Sequence, residues 1–224
     1  MARDNAPKIR QRAQLERKQT QRASYDRVLI VSEGSKTEPL YFKEIKNAHR
    51  LQTANVEVHP SALGTEPIQV VRYAKQLFEV GDPQKRVRAR AFEKVFAIFD
   101  RDDHKSYFDA LKLAESLDGK LRNDAKQPVE FKAIASVPCF ELWLLLHYED
   151  IRHPLHRDEV LTRLKQHIPG YDKGAGGIFA TTKANLDIAS QRTRNLAALS
   201  TAFDDTEPST DIVELVALLI AFGN

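Results

Sequence analysis

The chain has 224 residues, 42% hydrophobic and 29% charged, with a formal net charge of +3. That balance suits one generous domain, or one domain with a small appendage, and argues against a disordered chain or a polycation. No apolar run approaches the roughly 18–20 residues of a bilayer span, and no signal-peptide-like apolar stretch stands near the start. A lone cysteine, Cys139, excludes an intramolecular disulfide and any multi-cysteine metal site. The expectation is a soluble, cytoplasmic protein without a membrane partner, whose chemistry rests on carboxylates, histidines and basic residues.

In chain order, residues 1–26 read as a basic arm, flexible or docked on a partner. Met1–Arg27 carries eight Lys/Arg, among them Arg10, Arg12 and Arg17, against three acids. The arm is thus +5 and the rest of the chain −2. It holds almost no large apolar residues to bury, and such an arm adds sequence-independent affinity for phosphate backbones. A second cluster, Lys85, Arg86, Arg88 and Arg90, extends the basic surface.

Arg27–Ser32 (RVLIVS) is a β-branched, apolar run without polar alternation, which predicts a strand buried on both faces of a parallel sheet. A helix follows around Leu40, Tyr41, Phe42 and Ile45, then a strand at Val56–Val58. Glu66–Val80 reads as a helix with Ile68, Val71, Leu77 and Val80 inward, ended by Gly81-Asp82-Pro83. Val95–Phe99 is a strand running into Asp100-Arg101-Asp102-Asp103. Tyr107–Leu121 reads as a helix on Phe108, Leu111, Leu113 and Leu117, and Val129–Ala135 as a strand. Cys139–Tyr148 reads as a short buried helix, and Glu159–His167, Ala184–Ala202 and Ile212–Phe222 as further helices. A glycine-rich stretch spans residues 169–177. Strands alternating with helices predict an α/β core over 27–150 and a helical C-terminal part over 151–224.

Ligands of open α/β sheets gather beyond the carboxyl ends of the strands. Two predicted core strands end in acids there, one in Glu33 and the other in Asp100 and Asp102. In a still-extended chain, alternation sends Asp100 and Asp102 the same way. Carboxylates converging in one crevice repel one another and call for a cation, and oxygen donors without thiolates favour Mg²⁺ or Mn²⁺. Such a site suits phosphoryl transfer. The plainer reading has Asp102 and Asp103 capping the next helix and Glu33 paired with an arginine.

Several motifs together resemble the RloB family: VLIVSEGSKTEPLYF (28–42), VFAIFDRDDH (95–104), SVPCFELWLLLH (136–147), PGYDK (169–173) and EPST (207–210). The resemblance covers residues 27–222 with the motifs in order. It implies a Toprim-like parallel-sheet core with flanking helices, the catalytic fold shared by topoisomerases, DnaG-type primases and OLD-family nucleases. It places Glu33 at the Toprim glutamate and Asp100 and Asp102 at the Asp-x-Asp pair. It also implies a setting in antiphage, abortive-infection or restriction-linked systems beside an RloA-like ATPase.

On this reading Glu33, Asp100, Asp102 and Asp103 are candidate metal ligands, with Glu33 alternatively a general base and Asp103 alternatively a helix cap. Glu141, an acid inside an apolar helix, is a candidate catalytic residue or the acid of an internal salt bridge. Lys36, His104 and Lys173 are candidate nucleic-acid contacts together with Arg10, Arg12 and Arg17, Lys173 from a loop able to close over substrate. Arg101 reads as an ion-pair partner, His147 as a satisfied core or helix-end histidine, His153 and His156 as surface residues, and Cys139 as a buried small hydrophobe. The glycine-rich loop lacks the Gly-Lys-Ser/Thr of a Walker A motif, so ATP hydrolysis falls to a partner.

The expected function is divalent-metal-dependent cleavage of nucleic acid, with the ATPase as partner. The alternative is a non-enzymatic nucleic-acid-binding, sensor or regulatory subunit of the same complex. Nucleotidyl transfer or strand rejoining is a third reading, weakened because Tyr25, Tyr41 and Tyr107 form no motif for a covalent DNA link. DNA against RNA or tRNA, and a homo-oligomeric state, stay open.

Overall fold

The computed structural model describes residues 26–52, 55–102, 104–199 and 208–223. The basic arm with Arg10, Arg12 and Arg17, and also Tyr25 and Asp103, lie outside the described residues. Strands β1 (Val28–Ser32), β2 (Val56–Pro60), β3 (Lys94–Asp100), β4 (Glu130–Val137) and β5 (Ser209–Thr210) form one sheet in the order β2-β1-β3-β4-β5. The first four are parallel and β5 is an antiparallel edge.

Every residue of β1 is buried, as its unalternating apolar sequence requires of a strand covered on both faces. Val28 and Ile30 join Phe96, Ile98 and Ile134 on one face. Leu29 and Val31 join Val95, Ala97, Phe99 and Phe131 on the other. Helix α1 (Thr37–Ala48) covers the first face through Tyr41, Phe42 and Ile45. Helices α2 (Pro67–Val80) and α3 (Tyr107–Leu117) cover the second. The remaining helices are α4 (Glu141–Leu146), α5 (Arg157–His167), α6 (Ile178–Thr182), α7 (Leu186–Leu199) and α8 (Ile212–Ala221). They extend the first face, adding Trp143, Leu164, Phe179, Leu196 and Leu215 to the cluster that holds α1. A Toprim-like α/β sheet with a helical C-terminal part is thus the observed architecture.

Two helices are rotated from expectation. α2 buries Val70, Val71, Ala74, Leu77 and Phe78, while Ile68 is half-buried and Val80 is 70% exposed. The i, i+1, i+4, i+7, i+8 stripe is the continuous apolar face; Val71 and Leu77 lie in it as expected, whereas Ile68 and Val80 fall at or beyond its edges. α3 buries Tyr107, Ala110, Ala114 and Leu117, with Phe108 48% exposed. Its two alanines allow close approach to the sheet and α2 between the buried Tyr107 and Leu117, and Leu117 is inward as expected. The helix stops at Leu117 because Asp118 leaves it to accept a hydrogen bond from Phe131 N–H at 2.9 Å, and Gly119 follows with φ 65°. Helix α6 and strand β5 carry no sequence signal strong enough to separate them from loop.

A candidate acidic site at the carboxyl edge of the sheet

β1 and β3 are neighbours, and the chain leaves them for opposite sides of the sheet, to β2 and β4 respectively. That makes their carboxyl ends the topological switch point, where open α/β sheets form their crevice. Glu33 N–H donates to Ile98 O at 2.8 Å, extending the ladder one residue past β1. The Glu33 side chain turns back across the gap, and its Oε2 accepts Asp100 N–H at 3.0 Å. The first and second motifs thus meet in space.

Asp100 is 6% exposed, and its Oδ1 accepts Phe140 N–H at 2.8 Å. Burial, reinforced by the carboxylates of Glu38, Glu33 and Glu141, holds its carboxyl well above the usual aspartate range. Glu38, in the first turn of α1, is 8% exposed. Burial, with Glu141 and Glu33 nearby, pushes it up to about 7. Burial also raises Glu33, against the hydrogen bond from Asp100 N–H and the proximity of His104.

Gly34 accommodates this arrangement: a Cβ there would stand 2.5 Å from Glu38 Oε2. The glycine that follows Glu33 is therefore needed by the acid four residues later, which the sequence reading did not single out. Its signal was present, since Glu38 is an acid amid the buried residues Pro39, Tyr41, Phe42 and Ile45.

Glu141 is the first residue of α4 rather than interior to a longer helix, because the chain before it, from Pro138 to Phe140, is not yet helical. It is 1% exposed. Its Oε1 accepts the Tyr171 hydroxyl at 3.1 Å and lies 3.0 Å from Lys173 Nζ. Its Oε2 is buried without a hydrogen-bond partner. Glu141 forms the internal salt bridge that is one of its expected roles, and it also lines the crevice. The loop bearing Lys173 lies over the site, with Gly174 against the Lys36 side chain. Glu33, Glu38, Asp100, Glu141, Lys36, Arg157 and Lys173 all line one cavity of about 430 Å³.

Asp102 departs from expectation. β3 ends at Asp100, and Asp102 has φ 33°, so the alternation that would align the two aspartates stops between them. Asp102 instead pairs with Arg157 at the start of α5. Arg101 donates to the carbonyls of Asp102 and His104 and lies 5.0 Å over the Tyr107 ring. His104 stands between two glutamates, Nδ1 3.2 Å from Glu66 and Nε2 3.6 Å from Glu33. Glu66 also accepts the Ser106 hydroxyl at 2.7 Å. Arg157, Glu66 and Tyr171 are site residues that only the tertiary structure reveals.

The other histidines and the cysteine lie elsewhere. His147 is buried with Nδ1 2.9 Å from Trp143 O and Nε2 unpartnered; burial pushes it down to about 4. It is a core histidine as expected, but only half satisfied. Cys139 is fully buried. His153 and His156 are exposed, the latter capping α5 by accepting Asp158 N–H at 3.3 Å.

The donor chemistry of this crevice fits a hard divalent cation. Burial and neighbouring carboxylates raise the proton affinity of Asp100 and Glu38, and one buried oxygen of Glu141 has no hydrogen-bond partner, so a cation bound there would relieve the repulsion. Among the described residues, no three Asp, Glu, His or Cys side chains already converge closely enough to hold an ion. Glu141 and Asp102 are meanwhile neutralised by Lys173 and Arg157.

A parallel sheet with helices on both faces and acids at the carboxyl ends of adjacent strands β1 and β3 defines a Toprim-like α/β protein. The family model described as RloB-like protein matches residues 28–219, and the chain belongs to that family. No curated protein and no solved structure matches it. Among the described residues no helix is long and apolar enough to cross a membrane.

Proposed function

We propose that the chain is a phosphodiesterase acting on nucleic acid with Mg²⁺ or Mn²⁺, working beside an ATPase of the RloA type. The observation that carries this reading is the meeting of Glu33, Glu38, Asp100 and Glu141 at the switch point, around a cavity that also presents Lys36, Arg157 and Lys173. Acids to hold a cation and bases to hold phosphate oxygens in one crevice are what phosphoryl transfer requires.

Glu33, Asp100 and Glu141 would hold the cation, with Asp102 as a further ligand once released from Arg157. The cation supplies charge to the scissile phosphate and lowers the cost of ionising water. Lys36 and Arg157 would orient the phosphate, the lysine as a point charge and the arginine as a fork. His104, 3.2 Å from Glu66 and 3.6 Å from Glu33, would carry a proton between the crevice and solvent.

The test offers labelled DNA duplex, single-stranded DNA and RNA to the full chain, alone and with its ATPase partner, in Mg²⁺, Mn²⁺ or EDTA. Cleavage that needs the cation and is lost in Asp100→Asn is expected. The uncommitted geometry of the acids, with Lys173 and Arg157 occupying two of them, favours a second reading: a nucleic-acid-binding regulatory subunit without turnover. Cation binding lost in Asp100→Asn, with no cleavage in any combination, would select it.

A further inference from the structure

The sheet has a second charged end. The loops before β3 and β4, residues 81–93 and 118–129, lie at the amino edge, where α2 and α3 deliver the chain after running back from the acidic crevice. They are tied into one surface. Asp124 N–H donates to Arg90 O at 2.7 Å, Asn123 Nδ2 to Glu93 Oε1 at 3.1 Å, and Arg27 pairs with both Glu93 and Asp124.

The acids of this surface are already engaged by partners within the fold. Asp82 accepts the backbone N–H groups of Gln84 and Lys85, Asp118 that of Phe131, and Glu93 and Asp124 hold Arg27. Arg86, Arg88, Arg90, Lys120 and Lys126 are exposed. Among the described residues no carboxylate lies within 4.0 Å of these heads except Asp124, 4.0 Å from Arg88. Arg86, Arg90 and Lys126 have φ of 60°, 54° and 62°, backbone that glycine or asparagine adopts at less cost. Long cationic side chains thus stand where local conformation disfavours them, which points to a use for their charge.

We propose that this amino-edge face is a second nucleic-acid contact, gripping phosphate backbone apart from the acidic crevice. Exposed cationic heads gathered on one face complement the charge of a phosphate backbone. β3 alone separates the two ends by roughly 20 Å at about 3.3 Å per residue. A nucleic acid touching both spans at least that distance, so the face grips flanking backbone rather than the phosphate in the crevice. The proposal rests on nucleic acid being the ligand, and does not require turnover.

The experiment measures binding of a fluorescent 30-base-pair DNA duplex, and of the RNA of the same sequence, to the full chain in EDTA across a salt series. The variant is Arg86→Gly/Arg88→Ala/Arg90→Gly, whose glycines suit the positive φ angles and keep the fold, as circular dichroism would verify. A phosphate contact contributes about 0.7–0.9 to the slope of log K against log salt. Loss of three is expected to reduce the slope by about 2 and to weaken binding at least about tenfold at low salt. Arg88→Lys, which keeps the charge, is expected to bind as wild type. An unchanged slope and affinity in the triple variant overturns the proposal. So does loss of binding to poly-glutamate with none for either nucleic acid, which assigns the face to an acidic protein. Because EDTA removes turnover from the readout, failure of the phosphodiesterase reading leaves this measurement intact.

Discussion

Lys173 Nζ lies 3.0 Å from Glu141 Oε1, so a loop of the C-terminal part places an ammonium beside a carboxylate of the acidic crevice. Arg157 does the same for Asp102. The helical C-terminal part thus supplies the counter-charges for acids held by the α/β core. A buried acid deprived of its partner is costly, and a cation competing for the same oxygens must displace that partner.

Lys173→Ala is therefore expected to destabilise the cation-free protein by about 1–2 kcal/mol, the lysine being partly solvent-screened. It is also expected to tighten Mn²⁺ binding, because the competing ammonium is gone. Thermal melts with and without Mn²⁺, together with calorimetry, read both effects. Weaker Mn²⁺ binding in the variant would show that the lysine supports the site rather than competing for it.

Glu38 and His147 carry opposite pH signatures. Burial raises Glu38 to about 7, so its contribution is full below the unfolded value near 4.5 and is lost as pH rises through 7. Burial lowers His147 to about 4, so its contribution is full above about 6.5 and is lost as pH falls toward 4. Each shift corresponds to at most about 3 kcal/mol. Glu38→Gln should stabilise the cation-free protein at pH 8 and leave pH 4 nearly unchanged. His147→Leu should flatten the decline between pH 6.5 and 4. Urea midpoints across pH 4–8 check the pair, and a Glu38→Gln variant less stable than wild type at pH 8 would contradict the burial argument.

Gly34→Ala brings a methyl group to within 2.5 Å of the Glu38 carboxylate. The backbone at residue 34 tolerates alanine, so the displaced group is the acid and not the strand. The fold is expected to survive with a loss of about 1–3 kcal/mol, while Mn²⁺ affinity falls. Isothermal titration on a variant with a wild-type circular dichroism spectrum tests this. Unchanged affinity would remove Glu38 from the cation's surroundings.

Asp100→Asn and Asp102→Asn should behave differently although they are two residues apart. Asparagine at 100 keeps an oxygen for Phe140 N–H and removes a group whose ionisation is resisted, so the cation-free stability is expected to be equal or greater. Asparagine at 102 breaks the pair with Arg157 and is expected to cost about 1 kcal/mol. Cation binding should be lost in the first and only weakened in the second. Equal losses of binding would mean that Asp102 swings into the crevice.

The strands, the acids that end them and the succession of α and β elements were legible in sequence because each depends on local chemistry. An unbroken apolar run such as Val28–Ser32 can be stable only between two covered faces, and Glu33 and Asp100 follow such runs directly. Local pattern also misled. Alternation placed Asp102 beside Asp100, but a left-handed turn at Asp102 interrupts it. Large apolar residues marked the inward face of α3; Leu117 lies there as expected, but Ala110 and Ala114 form its centre while Phe108 is exposed.

What the sequence by itself determined is the sheet core and two of its acids, since hydrophobic period and strand-end position are properties of contiguous residues. What only the tertiary structure decided is which distant groups share the crevice. Glu38 folds back over Gly34, Glu141 arrives from α4, and Lys173 and Arg157 come from the C-terminal part. Their burial and charge coupling are set by packing across the chain, which no local pattern encodes.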